Sequence, residues 1–267
     1  MLYWTDIPAG RLFRLDPAGG TSECFYDGGV VGGFTLQADG RLLLFGANEV
    51  RLLDPDGGGE RVLIEGIDDD MERFNDVIAD PAGRVFAGTF GRGRETGGLY
   101  RLDGDGSIRC LWKGTRVSNG MAFTPDGGGF YWTDSTARTI FRFDYDRRGG
   151  ELSNRRTFLA LPAEEKTPDG MTVDEGGNVW SARWDGGALF RYDADGVEIE
   201  RIAFPVAKVS SVVFGGAGLD ELYVTTAGGE PGAETADGTL YRLRAGARGR
   251  AEFRSRIAPP AGGKNRS

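Results

Sequence analysis

Short apolar runs separated by Asp-Gly and Gly-Gly turns dominate this chain, and apolar residues almost nowhere recur at helical spacing. The pattern repeats. One unit reads Asn75 through Gly83, then Arg84 to Thr89, then Gly98 to Asp103. A second reads Asn119 through Gly127, then Phe130 to Thr133, then Ile140 to Asp144. A third reads Asp169 through Gly177, then Val179 to Ala182, then Ala188 to Asp193. Gly33 to Asp54 and Ser210 to Leu243 are looser copies, and Leu2 to Asp16 is a partial one. The spacing of the three best units, about 44 and then about 50 residues, suits a β-propeller blade of four antiparallel strands. The expected fold is therefore all-β, a single six-bladed propeller over residues 1–257. Ala163 to Lys166 makes at most one helical turn. The Pro-, Gly- and polar-rich stretch 258–267 is expected to be a disordered tail. The first unit starts directly at its second strand, Leu2 to Ile7, so the innermost strand of the first blade is missing from the pattern.

Composition narrows the chemistry. In 267 residues there are 45 glycines, enough for many turns but without a collagen period, and aromatic residues make up 11%. The formal net charge of -8 disfavours a partner recognised through its phosphate backbone, so nucleic acid is not expected. There is no histidine, which removes Ser-His-Asp triads, Cys-His dyads and His-metal sites together. Cys24 and Cys110 are too few for a disulfide framework and are expected to be reduced and buried, in keeping with a cytoplasmic protein. The first residues lack the basic and apolar regions of a signal peptide, and no apolar run reaches the roughly 18 residues of a membrane span, so no membrane partner is expected.

What remains is oxygen chemistry. Asn75, Asn119 and Asp169 each open the first strand of a unit, and in each case a glycine follows at the same offset: Gly83, Gly127 and Gly177. In a propeller such positions converge on the axis, where two amide oxygens and one carboxylate suit a hard divalent cation. The competing reading is that Asn119-Gly120 and Asp169-Gly170 are turn dipeptides that shape the loops before the strands. Arg73, two residues before Asn75, is a candidate contact for an anionic or hydroxyl-rich substrate, or else a solvated loop charge. The loop Gly91 to Gly97 is Gly-rich and charged but precedes no helix, so it is not a phosphate loop. Lys208, Ser210 and Ser211 read as ordinary strand-start polarity, and Trp132 and Trp180 as blade packing.

Arg73-Phe-Asn-Asp76 with Asp80 to Thr89, Ser118-Asn-Gly120, Ile140 to Tyr145 with Leu152 to Arg156, Pro168-Asp-Gly-Met171, and Ser210 to Gly216 together resemble the regucalcin (senescence marker protein) and gluconolactonase family. The resemblance runs from about Leu2 to Leu243. It implies a six-bladed propeller that binds one divalent cation (Ca, Zn, Mn or Mg) and hydrolyses a sugar lactone as its small-molecule partner. It places metal ligands at Asn75, Asn119 and Asp169, the general base also at Asp169, and substrate contacts at Arg73 and, in the loop, Glu95. The family's further ligand, a Glu just before the Tyr-Trp-x-Asp-Ile segment, has no counterpart in this sequence, which implies weaker metal binding. Two other readings of the same site are a calcium-binding, non-catalytic propeller and an ester or organophosphate hydrolase. The sequence says nothing about oligomeric state.

Overall fold

A computed structural model of the chain describes residues 1–57, 59–228 and 237–258. The expected tail beyond Ala258 and the stretch 229–236 of the last repeat lie outside the described residues. The chain folds into six separate antiparallel sheets. The first holds β1 (Leu2–Asp6), β2 (Arg11–Asp16) and β3 (Thr21–Asp27). The second holds β4 (Gly33–Leu36), β5 (Leu42–Phe45), β6 (Glu49–Leu53) and β7 (Glu60–Glu65), and the third β8 (Met71–Ala79), β9 (Val85–Gly91), β10 (Gly97–Leu102) and β11 (Ile108–Thr115). The fourth holds β12 (Ser118–Phe123), β13 (Gly129–Asp134), β14 (Thr139–Asp146) and β15 (Glu151–Ala160). The fifth holds β16 (Thr167–Val173), β17 (Val179–Trp184), β18 (Ala188–Tyr192) and β19 (Glu198–Ala203). The sixth holds β20 (Val209–Gly215), β21 (Glu221–Thr226) and β22 (Leu240–Leu243). The only helical element among the described residues is a 3-10 turn at Ala163–Glu165, as the pattern predicts.

The chain packs as two units: Met1–Ser118 with the residues from Glu252 onward, and Asn119–Ala251. In each, sheets stack face to face through apolar side chains. Leu43, Phe45, Val50, Met71, Phe74 and Val85 fill the space between the second and third sheets. Trp180, Ala182, Val212, Phe214 and Leu222 do so between the fifth and sixth. Middle strands are thus buried on both faces, as β5 and β13 show, whereas the outermost strands β3, β15 and β19 are largely exposed. That exposure corrects the expectation for the cysteines. Cys24 on β3 and Cys110 on β11 are free and exposed, because both fall on outermost strands.

The turns behave as their glycines require. Gly83, Gly127 and Gly177 have φ of 89°, 67° and 85°, which L side chains rarely adopt, and each donates its N–H to the residue three before it. The first repeat also appears as read. Tyr3-Trp-Thr-Asp6 on β1 matches Tyr131-Trp-Thr-Asp134 on β13, and Trp4 stacks on Phe13 as Trp132 stacks on Phe141. β13 is fully buried with β12 beside it, while β1 ends its sheet and is only half-buried.

A long C-terminal segment ties sheets together without forming a strand. In the first unit Ser255 bridges Gln37, whose side-chain amide clasps the Ile257 backbone at 3.1 and 2.9 Å, and Ile257 enters the core. In the second, Arg248 and Gly249 bond to Glu175 and Leu219.

The first strands of neighbouring sheets approach so closely that glycine is required. A Cβ on Gly32 would sit 1.9 Å from the Phe74 carbonyl oxygen of β8. One on Gly120 would sit 2.6 Å from the Asp169 carbonyl oxygen and 2.7 Å from the Met171 nitrogen. One on Gly170 would sit 2.3 Å from Ser211 Oγ. Gly120→Ala is expected to force β12 from β16 and to lower stability by about 1–3 kcal/mol, measured by denaturant unfolding.

Candidate functional site

Asn119-Gly120 and Asp169-Gly170 are not turns. Both dipeptides lie inside first strands, where the glycines serve the close approach of neighbouring strands. Asn75 and Asp169 coincide instead with breaks in their ladders. Between β8 and β9 the register jumps from Phe74 to Val77, leaving Asn75 and Asp76 out of step. Between β16 and β17 it jumps from Pro168 to Met171, leaving Asp169 and Gly170 out of step. Such bulges re-aim side chains away from the regular alternation. Ser210 occupies the same kind of break on β20.

In the first unit, Asn75 Nδ2 donates to the Ser118 carbonyl oxygen at 2.9 Å. A carbonyl only accepts, so the amide nitrogen must face it and Oδ1 must face the other way. There Oδ1 accepts from Arg73 at 2.6 Å. Arg73 is thus no loop charge: it lies within β8, half-buried, and its guanidinium rests 4.9 Å from the Phe90 ring centroid.

In the second unit, Asn119 Nδ2 donates to Ser135 Oγ at 3.2 Å. The Ser135 hydroxyl is itself committed to the Pro168 carbonyl at 2.6 Å, so toward Asn119 it can only accept. The Asn119 oxygen is therefore turned away from Ser135. The same serine links Asn119 to the residue preceding Asp169, and Asp169 is half-buried beside it. Sequence reading missed Ser135, whose role depends on a contact across two strands.

These amides fit a hard cation. In the second unit the Asn119 oxygen is turned from Ser135 and Asp169 supplies a carboxylate, while in the first the Asn75 oxygen would have to exchange its Arg73 donor for the cation. Among the described residues no three acidic or cysteine side chains converge, so a cation here would depend on the amide oxygens.

Glu95 is exposed in the turn between β9 and β10. That turn is pinned to the segment leading into β8: Arg92 N–H and Thr96 Oγ1 both donate to the Asp70 carbonyl, at 2.9 and 3.1 Å. Nearby, Tyr100 and Lys113 both donate to Asp68, whose carboxyl lies below its usual range: burial works to raise it, and these two bonds outweigh that.

Two further carboxyls escaped the sequence reading. Burial pushes Asp76, next to Asn75, up to about 6, although the Val77 N–H bonds its carboxylate. Glu252 is exposed by surface area, yet desolvation by the protein around its carboxyl, and secondarily the Asp76 charge, push it up to about 7. Only the Asp in Arg73-Phe-Asn-Asp76 was visible as a neighbour of a candidate. Glu252 lies in a segment without strand periodicity.

A carboxyl with a raised folded pKa binds its proton more tightly in the folded state, so stability falls as pH rises through the window from its unfolded value to its folded one. Thermal unfolding followed from pH 4.5 to 8 should therefore show Tm falling with pH, and Glu252→Gln should flatten that fall above about pH 5. An identical pH profile for the two proteins would contradict the assignment.

No helix among the described residues is long and apolar enough to cross a membrane. The profile of the SMP-30/Gluconolactonase/LRE-like region matches residues 1–228. Pentonolactonase XacC of Haloferax volcanii is 47% identical over 267 residues, spanning 96% of this chain and 90% of that protein. L-arabinolactonase of Azospirillum brasilense is 35% identical over 232 residues, 85% and 76% of the two chains. Among solved structures, a calcium-binding protein, regucalcin, from Agrobacterium tumefaciens superposes with a TM-score of 0.88 at 26% identity, covering 96% of this chain and 89% of that one. The six sheets are the blades of a six-bladed β-propeller, and the chain belongs to the SMP-30/gluconolactonase/LRE-like family.

Proposed function

We propose that this protein hydrolyses a sugar lactone, an aldono-1,4- or 1,5-lactone, with Asn75, Asn119 and Asp169 holding one divalent cation. The observation that carries the reading is the fixed orientation of the two amides, whose nitrogens are tied to Ser118 and Ser135. The lactonase names of the relatives from Haloferax volcanii and Azospirillum brasilense support the substrate class. When bound, a divalent cation supplies Lewis-acid polarisation of the lactone carbonyl.

Each of the chain's own groups has a part. Asp169 takes a proton from the attacking water as the new C–O bond forms at the carbonyl carbon. The ring C–O bond then breaks, and the proton passes to the departing alkoxide, giving the open hydroxy acid. Arg73, held beside Asn75 and against Phe90, bonds ring hydroxyls. Glu95, on its pinned turn, is the second hydroxyl contact.

Asp169→Asn should lower kcat for pentono- or gluconolactone by at least about 100-fold with unchanged circular dichroism, while the parent loses activity on chelation and regains it with Mn²⁺, Zn²⁺ or Ca²⁺. Turnover by Asp169→Asn equal to the parent would remove the mechanism. A parent that binds a cation but hydrolyses no lactone would leave the non-catalytic reading in its place.

A further inference from the structure

Two aromatic rings hold equivalent places in the two units. In the first, Phe90 near the end of β9 pairs with Arg73, two residues before Asn75. In the second, Trp184 at the end of β17 pairs with Thr167, two residues before Asp169. Each ring is half-buried on a strand that is otherwise buried. Each also meets a cation from the segment leading into the next sheet: Arg116 lies 5.2 Å from the Phe90 centroid, and Lys208 lies 5.2 Å from the Trp184 centroid.

Core packing accounts for the rest of the Trp184 row but not for Trp184. Side chains alternate along a strand, so Trp180, Ala182 and Trp184 share one face of β17. Trp180 and Ala182 are fully buried against Val212 and Phe214 of β20. The core cluster ends at Ala182. Trp184 continues the row one step beyond it, at the end of the sheet where β16 and β20 begin, and keeps part of a large apolar ring in water.

Its surroundings are built. The Phe204 N–H donates to the Gly187 carbonyl, and the Gly187 N–H donates to the Ala207 carbonyl, both at 2.8 Å. The Lys208 carbonyl accepts from Ala227 at 2.9 Å. The segment carrying the ammonium is therefore tied to the turn that follows Trp184. Thr167 sits across the ladder from Trp184, and the bulge bearing Asp169 begins immediately after Pro168.

We propose that Trp184 and Lys208 form a sugar-binding wall beside Asp169, on which the lactone ring lays its C–H face while the ammonium donates to its hydroxyl oxygens. This rests on the lactonase reading above. A sugar ring is amphipathic: its C–H groups gather on a face and carry slight positive charge, while its hydroxyls project from the rim. An indole matches that face with a broad apolar surface and a negative π cloud, and the Lys208 ammonium, which lies over the ring 5.2 Å from its centroid, can reach the hydroxyls of the rim. The wall binds ground state and transition state alike, so it acts on KM rather than on kcat.

The test combines steady-state hydrolysis of an aldonolactone with tryptophan fluorescence, titrated with a cyclic sugar polyol that lacks the carbonyl. Trp184→Ala should raise KM about tenfold with kcat within about twofold, Trp184→Phe should recover most of that loss, and Lys208→Met should raise KM about threefold. The polyol should shift the parent's fluorescence, and Trp184→Phe should abolish the shift while retaining turnover. Unchanged KM in Trp184→Phe, Trp184→Ala and Lys208→Met, or a shift that survives in Trp184→Phe, overturns the wall. If the parent hydrolyses no lactone, the lactonase reading fails and the titration alone decides: a shift lost in Trp184→Phe upholds the wall, and no shift in the parent overturns it.

Discussion

Backbone-to-backbone approach of neighbouring first strands is the constraint on which the rest of this structure depends. At Gly32, Gly120 and Gly170 a single methyl would collide with the next strand. The bulges at Asn75–Asp76, Asp169–Gly170 and Ser210 fall on the strands that these glycines approach. Asn75 and Asp169 sit on two of those bulges. Tight packing and the placement of Asn75 and Asp169 thus arise from the same stretches of chain.

Orientation then follows from hydrogen-bond arithmetic. The Ser118 carbonyl and the Ser135 hydroxyl, the latter spent on Pro168, can only accept, so both amides give up their nitrogens; the Asn119 oxygen turns away from Ser135, and the Asn75 oxygen accepts from Arg73. In each unit cations lie over an aromatic ring: Arg73 and Arg116 over Phe90 in the first, and Lys208 over Trp184 in the second.

The repeat was legible because its determinants are local. Turn glycines with positive φ and alternating apolar strands mark each sheet within a dozen residues, and Gly83, Gly127 and Gly177 behave as read. Asn75, Asn119 and Asp169 were legible as a register. The reason for the glycine after two of them was not, since it is a contact with a strand about 40–50 residues further along the chain. Arg73 looked like a solvated charge because nothing local shows that β8 begins before it. Cys24 and Cys110 were misplaced because outermost strands look apolar enough to be buried, and only the sheet order shows that they are not. Ser135, Glu252 and the Lys208–Trp184 contact depend on partners distant in sequence, or on a segment with no periodicity.

The proposal that Asn75, Asn119 and Asp169 hold one divalent cation makes metal affinity the decisive quantity. The most direct test is calorimetric titration of metal-stripped protein with Mn²⁺ and with Ca²⁺, run on the parent and on Asn119→Ala. One saturable site in the parent and its loss in the variant are expected. Equal binding by the two proteins, or none by the parent up to millimolar metal, would contradict the proposal.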